Sequence, residues 1–501
     1  MKKYLLIISG IVLSIGGNAQ NSIDALRYSK MQQFGTARFN AMGGAFTALG
    51  GDHSAIVINP AAIGIYRSSE FTLTPTLLLN EMNSSYRGNT PDEQTNNFNI
   101  GNIGYVGSYT NDPNGWKYAS FAIGHNRISN FHGDYTHSGT ADASIIGSTI
   151  IDGYIHELNN DQANEANVLD YYYPFGPSQA YNTYMIDPDG NSYSYTRGLG
   201  LQSLQSVNQN ERNYVKGKQS ETYFSFGGNY QDRLFLGANI AFQNVTYERI
   251  REYSETYEYQ ATPNPNDSNY VPLNYNEKSE QYTYGSGVNL KIGAIYKITD
   301  ELRVGASIHT PTWISLSENY IFNAHAELTA IGNLKTDKID SKYDYQINTP
   351  WRYNAGLAYI INNKAALSFD YEFVNYASAR IKDNQEFPFD YSPINQEIKN
   401  QLKGAHNFRV GAEVNLNPFV LRAGYRYEDN PFANKNFDWK LDESRNTFSV
   451  GTGFRSNNYS IDLTYMRSDM SIVDPVYSFN DEVASIERID SRIMLTLGWK
   501  W

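Results

Sequence analysis

The feature that most constrains this chain is a period of two that recurs to the C-terminus. In "FVLRAGYRY", Phe419, Leu421, Ala423, Tyr425 and Tyr427 oppose Val420, Arg422, Gly424 and Arg426. In "ALSFDYEF", Leu367, Phe369, Tyr371 and Phe373 oppose Ser368, Asp370 and Glu372; "TFSVGTGFR" repeats the pattern from Thr447 to Arg455. Successive strand side chains point to opposite faces, so each segment has one apolar and one polar face. A soluble sandwich would show the same alternation. The connections decide between the two. Fourteen candidate strands are predicted at 69–79, 98–110, 116–128, 220–231, 234–247, 281–298, 301–322, 343–361, 364–382, 404–416, 419–428, 445–456, 458–468 and 490–501. After every even strand the link is a short turn, such as "QDR" at 231–233 or "INNK" at 361–364. After every odd strand it is long and polar, and the longest are 129–219 and 248–280. Short turns on one rim, long loops on the other and an even strand count describe an all-β, antiparallel, 14-stranded transmembrane barrel, with the bilayer as its first partner.

What precedes the strands fits export. Lys2 and Lys3, the apolar run Tyr4–Ile15 and the small residues Gly17-Asn18-Ala19 predict a signal peptide over 1–19, so the exported chain is periplasmic, secreted or, with the barrel pattern above, set in a Gram-negative outer membrane. The apolar run is too short to span a bilayer, and no run of about 18 apolar residues follows it. The chain has no Cys, which excludes disulfides and a lipid-modified Cys anchor. A net charge of −12 disfavours nucleic acid as a partner.

Residues 20–68 carry helical pieces broken by Gly43-Gly44 and Gly50-Gly51, followed by Asp52 and Asn59-Pro60-Ala61. Fourteen strands enclose a polar lumen that would leak if open. The expectation is that 20–68 folds back as a hatch inside a barrel formed by 69–501. The inward charges Asp370, Arg422, Arg426, Arg455 and Asp462 are expected to hold it. Asn59 is expected to cap a turn whose dihedral Pro60 fixes. Gly124, His125 and Asn126, inside the third strand, suggest a bulge. The last strand, "SRIMLTLGWKW", ends on Trp501 and is similar to the signal that the barrel assembly machinery reads.

The stretch "GTARFNAMGGAFTALGGDHSAIVINPAAIGIYRSSEFTLTP" (35–75), together with "TPWRYNAGLAYIINNKAALSFDYEFVNYA", "LRAGYRYEDNPF" and "FSVGTGFRSNNYSIDLTY", resembles the OMPP1/FadL/TodX family of outer-membrane transporters of hydrocarbons and long-chain fatty acids. The resemblance implies a monomeric fourteen-stranded barrel with an N-terminal hatch. It implies passive entry of a hydrophobic ligand through the extracellular loops, and a gating motif at Asn59, Pro60 and Ala61. It also implies sideways exit through a wall gap made by a kink in the third strand, placed here at Gly124–Asn126. The loop after the fifth strand departs from the family by being polar. That keeps open a second reading, in which a barrel of this family docks exported proteins as the shuttle of a secretion system. A plain porin is disfavoured by the hatch. No catalytic motif, cofactor loop or metal-ligand spacing appears; "DPDGN" at 187–191 reads as a turn, so neither enzyme nor cofactor is expected.

Overall fold

The computed structural model describes all residues except 1–21, 33, 111, 113–114, 144–146, 170–172, 191–192, 199–200, 202, 260–270, 330, 363, 385–388, 434–440 and 477–482. The expected signal peptide therefore lies outside the described residues. Among the described residues, fourteen antiparallel strands form one closed barrel: β1 Glu70–Ser85, β2 Asp92–Thr110, β3 Trp116–Asn130, β4 Leu204–Tyr230, β5 Leu234–Tyr259 and β6 Pro272–Lys297 come first. Then follow β7 (Leu302–His309, resumed at Trp313–Leu328), β8 (Ile339–Asn348, resumed at Arg352–Ile361) and β9 (Ala365–Asn375, resumed at Arg380–Asp383). The cylinder is completed by β10 Gly404–Leu416, β11 Phe419–Glu428, β12 Arg445–Arg455, β13 Tyr459–Pro475 and β14 Val483–Lys500. It closes where β1 pairs with β14, from Glu70↔Lys500 to Ser85↔Ser485. Closure pairs the backbone groups of neighbouring strands around the cylinder, as hydrocarbon demands, except along β2 between Asp92 and Asn102. The alternation separates the two faces as expected: Phe369, Leu421, Phe448, Val450 and Leu495 are exposed on the outside, while Asp370, Arg422 and Asp462 are buried within.

Three breaks interrupt neighbouring strands. Thr310-Pro311-Thr312 parts β7, Thr349-Pro350-Trp351 parts β8, and a 3-10 turn at Tyr376–Ser378 parts β9. A proline has no N–H for the ladder. The breaks on β7 and β8 answer each other, with Thr349 N donating to Thr312 O at 3.0 Å and Thr312 N to Thr349 Oγ1 at 2.8 Å. The sequence segments 301–322, 343–361 and 364–382 ran straight through them.

Two segments expected to be loops are in large part strand. β4 begins at Leu204, so the 129–219 connection contracts, and most of 248–280 is the tall β5–β6 hairpin. Above the bilayer these strands keep period two with tyrosine in place of aliphatic residues: Tyr253, Tyr257 and Tyr275 are buried, while Glu252 and Glu258 face out. The residues after β3 form a strand, Tyr135–Asp142, which pairs with β4, and then a cap of helices α4 Ile150–Asn160, α5 Glu165–Leu169 and α6 Pro177–Asn182. Thr149 and Asp152 close a reciprocal capping box on α4. Ile151 and Leu158 pack from α4 against Val207, Tyr253 and Phe322 of the tall wall.

The hatch fills the lumen. It comprises α1 Ser22–Ser29, α2 Ala37–Ala41, α3 Ala55–Ile58 and a 3-10 turn, Pro60–Ile65. α1 stands highest, packed on β7–β9 through Leu26 and Tyr28. The Ser22 hydroxyl reaches Glu397 Oε1 (2.8 Å) and Gln401 Oε1 (2.7 Å) on α7, Ser392–Gln401, in the loop after β9.

Candidate functional site: a lumen cavity, its hatch and a seam in the wall

The hatch meets the wall at a belt of barrel glycines. A Cβ on Gly104 or Gly124 would strike the His53 ring at 1.8 or 2.4 Å; on Gly237, the Pro60 carbonyl at 2.3 Å; on Gly293, Asn59 Oδ1 at 1.9 Å; on Gly305, Thr47 O at 2.2 Å; and on Gly424, Gly43 N at 2.1 Å. These positions can only be glycine while the hatch sits where it does. The close packing of hatch on wall thus rests in large part on glycines of the wall. Gly43, Gly44, Gly50 and Gly51 serve differently, bending the hatch backbone at φ of 64°, 80°, 60° and 65°.

Polar contacts fix the segment between those points. Asn59 Oδ1 accepts from Ala61 N (3.0 Å), while its Nδ2 donates to Thr47 O (2.7 Å) and across to Ala294 O of β6 (3.2 Å). Pro60 occupies the first position of the 3-10 turn that Asn59 caps. Asp52 accepts from Thr36 Oγ1 (2.7 Å) and Ser54 N (2.9 Å), stapling two turns of the hatch. Asp370 Oδ2 accepts from Thr47 N and Oγ1 (2.8 and 2.7 Å), and Arg426 donates to Gly43 O (3.1 Å) and Gln32 O (3.2 Å). Arg422, Arg455 and Asp462 lie one step back. Arg422 bridges Asp462 (2.7 Å) and Glu413 (2.6 Å), Arg455 adds to Asp462 (2.9 Å), and Glu413 receives Arg38 of the hatch at 2.9 and 3.0 Å.

Above the hatch lies a cavity of about 510 Å³, between α1 and the cap. Leu26, Met82, Phe131, Tyr247, Phe175 and Phe322 give it apolar walls; Arg27, Arg249, Arg251 and Arg352 give it cationic points. Arg27 stacks over the Tyr247 ring at 4.2 Å, and Arg251 is held by Glu211 (3.0 Å) and Glu277 (3.5 Å). His137, Glu211 and Asp474 gather within 4.8 Å of one another at the same level. They are far apart in the chain, so no spacing could announce them. Arg251 and Arg249 beside Glu211 already supply the positive charge that a metal would bring.

The cavity abuts a seam in the wall. β2 and β3 pair from Thr110↔Tyr118 only up to Asn102↔Asn126; beyond that, β2 continues beside β1 to Asp92↔Asn83 with no ladder to β3. β3 slips register at Arg127/Ser129, and the chain then turns inward, with Gly133 against Met82 and His132 O accepting from Arg488 Nη2 at 3.2 Å. Contact resumes higher up, where Thr136 Oγ1 donates to Glu93 Oε1 (3.1 Å) and Asn89 Nδ2 to Ser138 O (3.0 Å). The bulge expected at Gly124-His125-Asn126 thus falls just beyond those residues. Gly124 instead makes room for His53, His125 Nδ1 lies 2.9 Å from Thr222 Oγ1, and Asn126 is the last paired residue. Side chains bridge the seam: Arg127 Nη1 donates to Asn97 Oδ1 (3.2 Å), and Asn97 Nδ2 lies 3.3 Å from His132 Nε2. At its foot, Asn102 Nδ2 and the Tyr223 hydroxyl lie 3.3 and 3.0 Å from His53 Nδ1. His53, Asn97, Asn102, Arg127 and His132 escaped the sequence reading, because only pairing register brings them together.

The family model described as outer membrane protein transport protein (OMPP1/FadL/TodX) matches residues 231–474. No curated protein matches the chain in sequence. Among solved structures, a Pseudomonas aeruginosa FadL homologue is similar at a TM-score of 0.57 and 13% identity, with 94% of this chain and 99% of that one covered. The P. putida toluene transporter TodX is similar at 0.51 and 13%, covering 93% and 98%. With that match set inside a barrel of the same fold, the chain resembles the outer-membrane β-barrels of the OMPP1/FadL/TodX family.

Proposed function

We propose that this barrel is a passive transporter of hydrophobic small molecules. A ligand enters from the extracellular cap, rests in the lumen cavity and leaves sideways through the β2–β3 seam, with the hatch barring the straight path. One observation carries the reading. Ser129, Asn130, Phe131 and Gly133, on the inturned side of the seam, are also walls of the cavity, so pocket and gap adjoin. A lateral route keeps a poorly hydrated ligand out of bulk water. The test is a cross-link. Asn97→Cys with His132→Cys, in a chain that has no Cys of its own, places two thiols across the seam. Cells treated with a short bifunctional thiol-reactive cross-linker should take up less of a fluorescent hydrophobic probe than untreated ones. Equal uptake in the two states removes the lateral route.

The second reading, docking of exported proteins, draws on the height and polarity of the β4–β6 wall. It expects that trimming the β5–β6 tip lowers export by the secretion system while probe uptake is unchanged.

A further inference from the structure

We propose that the seam holds an anion site centred on Arg127, which takes the phosphate or carboxylate headgroup of an amphiphile. For its role in transport, though not for binding itself, the site rests on the lateral route above.

Arg127 is 7% exposed. Its Nη1 donates to Asn97 Oδ1 at 3.2 Å and Asn130 Oδ1 at 3.0 Å, both neutral amides. Among the described residues no carboxylate forms an ion pair with it. Most other lumen arginines are built differently; the exceptions include Arg426 and Arg492, which donate to oxygens of the hatch at Gly43 and Gln32. Arg251 has Glu211 and Glu277, Arg352 and Arg409 share Glu372, and Arg488 has Asp490. A desolvated guanidinium with only amide acceptors lacks the counter-charge that would offset its burial. An entering carboxylate or phosphate supplies that charge and matches the planar fork of donors. Asn97, which bridges the seam through this same guanidinium, is the group an anion would displace. Headgroup binding and loosening of the seam would then be one event.

The surroundings suit an amphiphile. Phe98 (71% exposed) and Ile100 (52%) point outward on the β2 side of the seam, and Ile123 does so on β3 below it. An acyl chain can lie along them with its head at Arg127. Lys218, exposed on β4 opposite Asn130, places a second cation on the outer face. The anion could arrive from the lumen, as the transported molecule, or from the outer leaflet, as a membrane lipid. Both present the same headgroup chemistry.

The test uses the purified full-length barrel in a neutral detergent, titrated calorimetrically with dodecyl phosphate, dodecanoate and dodecanol. The wild type should bind the two anions about tenfold or more tighter than the alcohol, the gain of a charge-assisted hydrogen bond. Arg127→Gln should erase that difference, Arg127→Lys should keep most of it, and Arg251→Gln in the cavity should leave it intact. Heat-resistant migration on a gel confirms that each variant is folded. Anion preference that survives Arg127→Gln, or that is lost in Arg251→Gln instead, overturns the site. Native mass spectrometry separates the two sources. A phosphate-bearing membrane lipid that co-purifies with the wild type and is lost in Arg127→Gln marks the outer leaflet; probe binding without a retained lipid marks the transported molecule. Uptake in cells is scored apart. A wild type that shows no anion preference yet takes up probe normally defeats the site and spares the transport reading, and a wild type with the preference but without uptake does the reverse.

Discussion

At the scale of single residues, neighbouring side chains on one strand answer to different solvents. Phe369 faces lipid and Asp370 faces the hatch. Phe369→Arg should cost about 2–4 kcal/mol near the bilayer middle, read from denaturant unfolding in vesicles. Asp370→Ala removes both bonds to Thr47 and should cost about 1–3 kcal/mol, with greater protease sensitivity in the hatch than in the wall. An equal response of the two faces to Arg would contradict a lipid-facing exterior. Thr496 was legible as lumen-facing but not as a partner; its hydroxyl accepts from Ala37 N at 2.6 Å. Alternation tells a residue's side, and nothing in a local pattern tells which distant backbone waits there. Hence the parity of Asp370, Arg422 and Arg426 was readable, whereas the bridging pair Arg127 and Asn97 was not.

At the scale of elements, the hatch and the cap make separate predictions. Asn59 holds its own turn and a carbonyl of β6 together. Asn59→Ala should leave a heat-resistant barrel and lower probe uptake; a variant that fails to fold would make the motif a structural corner only. Deleting residues 21–50 should open an ion-conducting pore in a planar bilayer, and a deletion that conducts no better than the intact protein would deny the segment its role as a seal. In the cap, burial chiefly, and the Asp161 carboxylate beside it, push the Glu157 carboxyl on α4 up to about 7. The fold favours the protonated form, so the contribution is complete below the unfolded value near 4.3 and is lost as pH rises through about 7. Hydrogen exchange in α4, corrected for intrinsic chemistry, should quicken from pH 5 to pH 8, and Glu157→Gln should flatten that rise. The strand count was legible from connection lengths, and the hatch from the Gly-broken pieces that precede the first strand. The strand breaks and the height of β4–β6 were not, because a tyrosine-rich ladder above the membrane lacks the apolar face by which spans were recognised.

At the scale of the whole molecule, the long connections share one side of the barrel and the tight turns the other. A protease site placed at 260–270 should be cut on intact cells, and one placed at 231–233 should not; the reverse would invert the barrel and the direction of transport. The glycine belt bears on how such a molecule diversifies. Hatch groups that do not line the cavity meet bare glycine on the wall, so their fit is indifferent to what the cavity carries. Side chains lining the cavity, and those of the seam above its foot at Asn102, lie clear of the belt and can be exchanged without disturbing it. A lineage can therefore drift from one cargo to another while inheriting the same stopper unchanged, and variation among relatives should be concentrated over the belt and scarce along it.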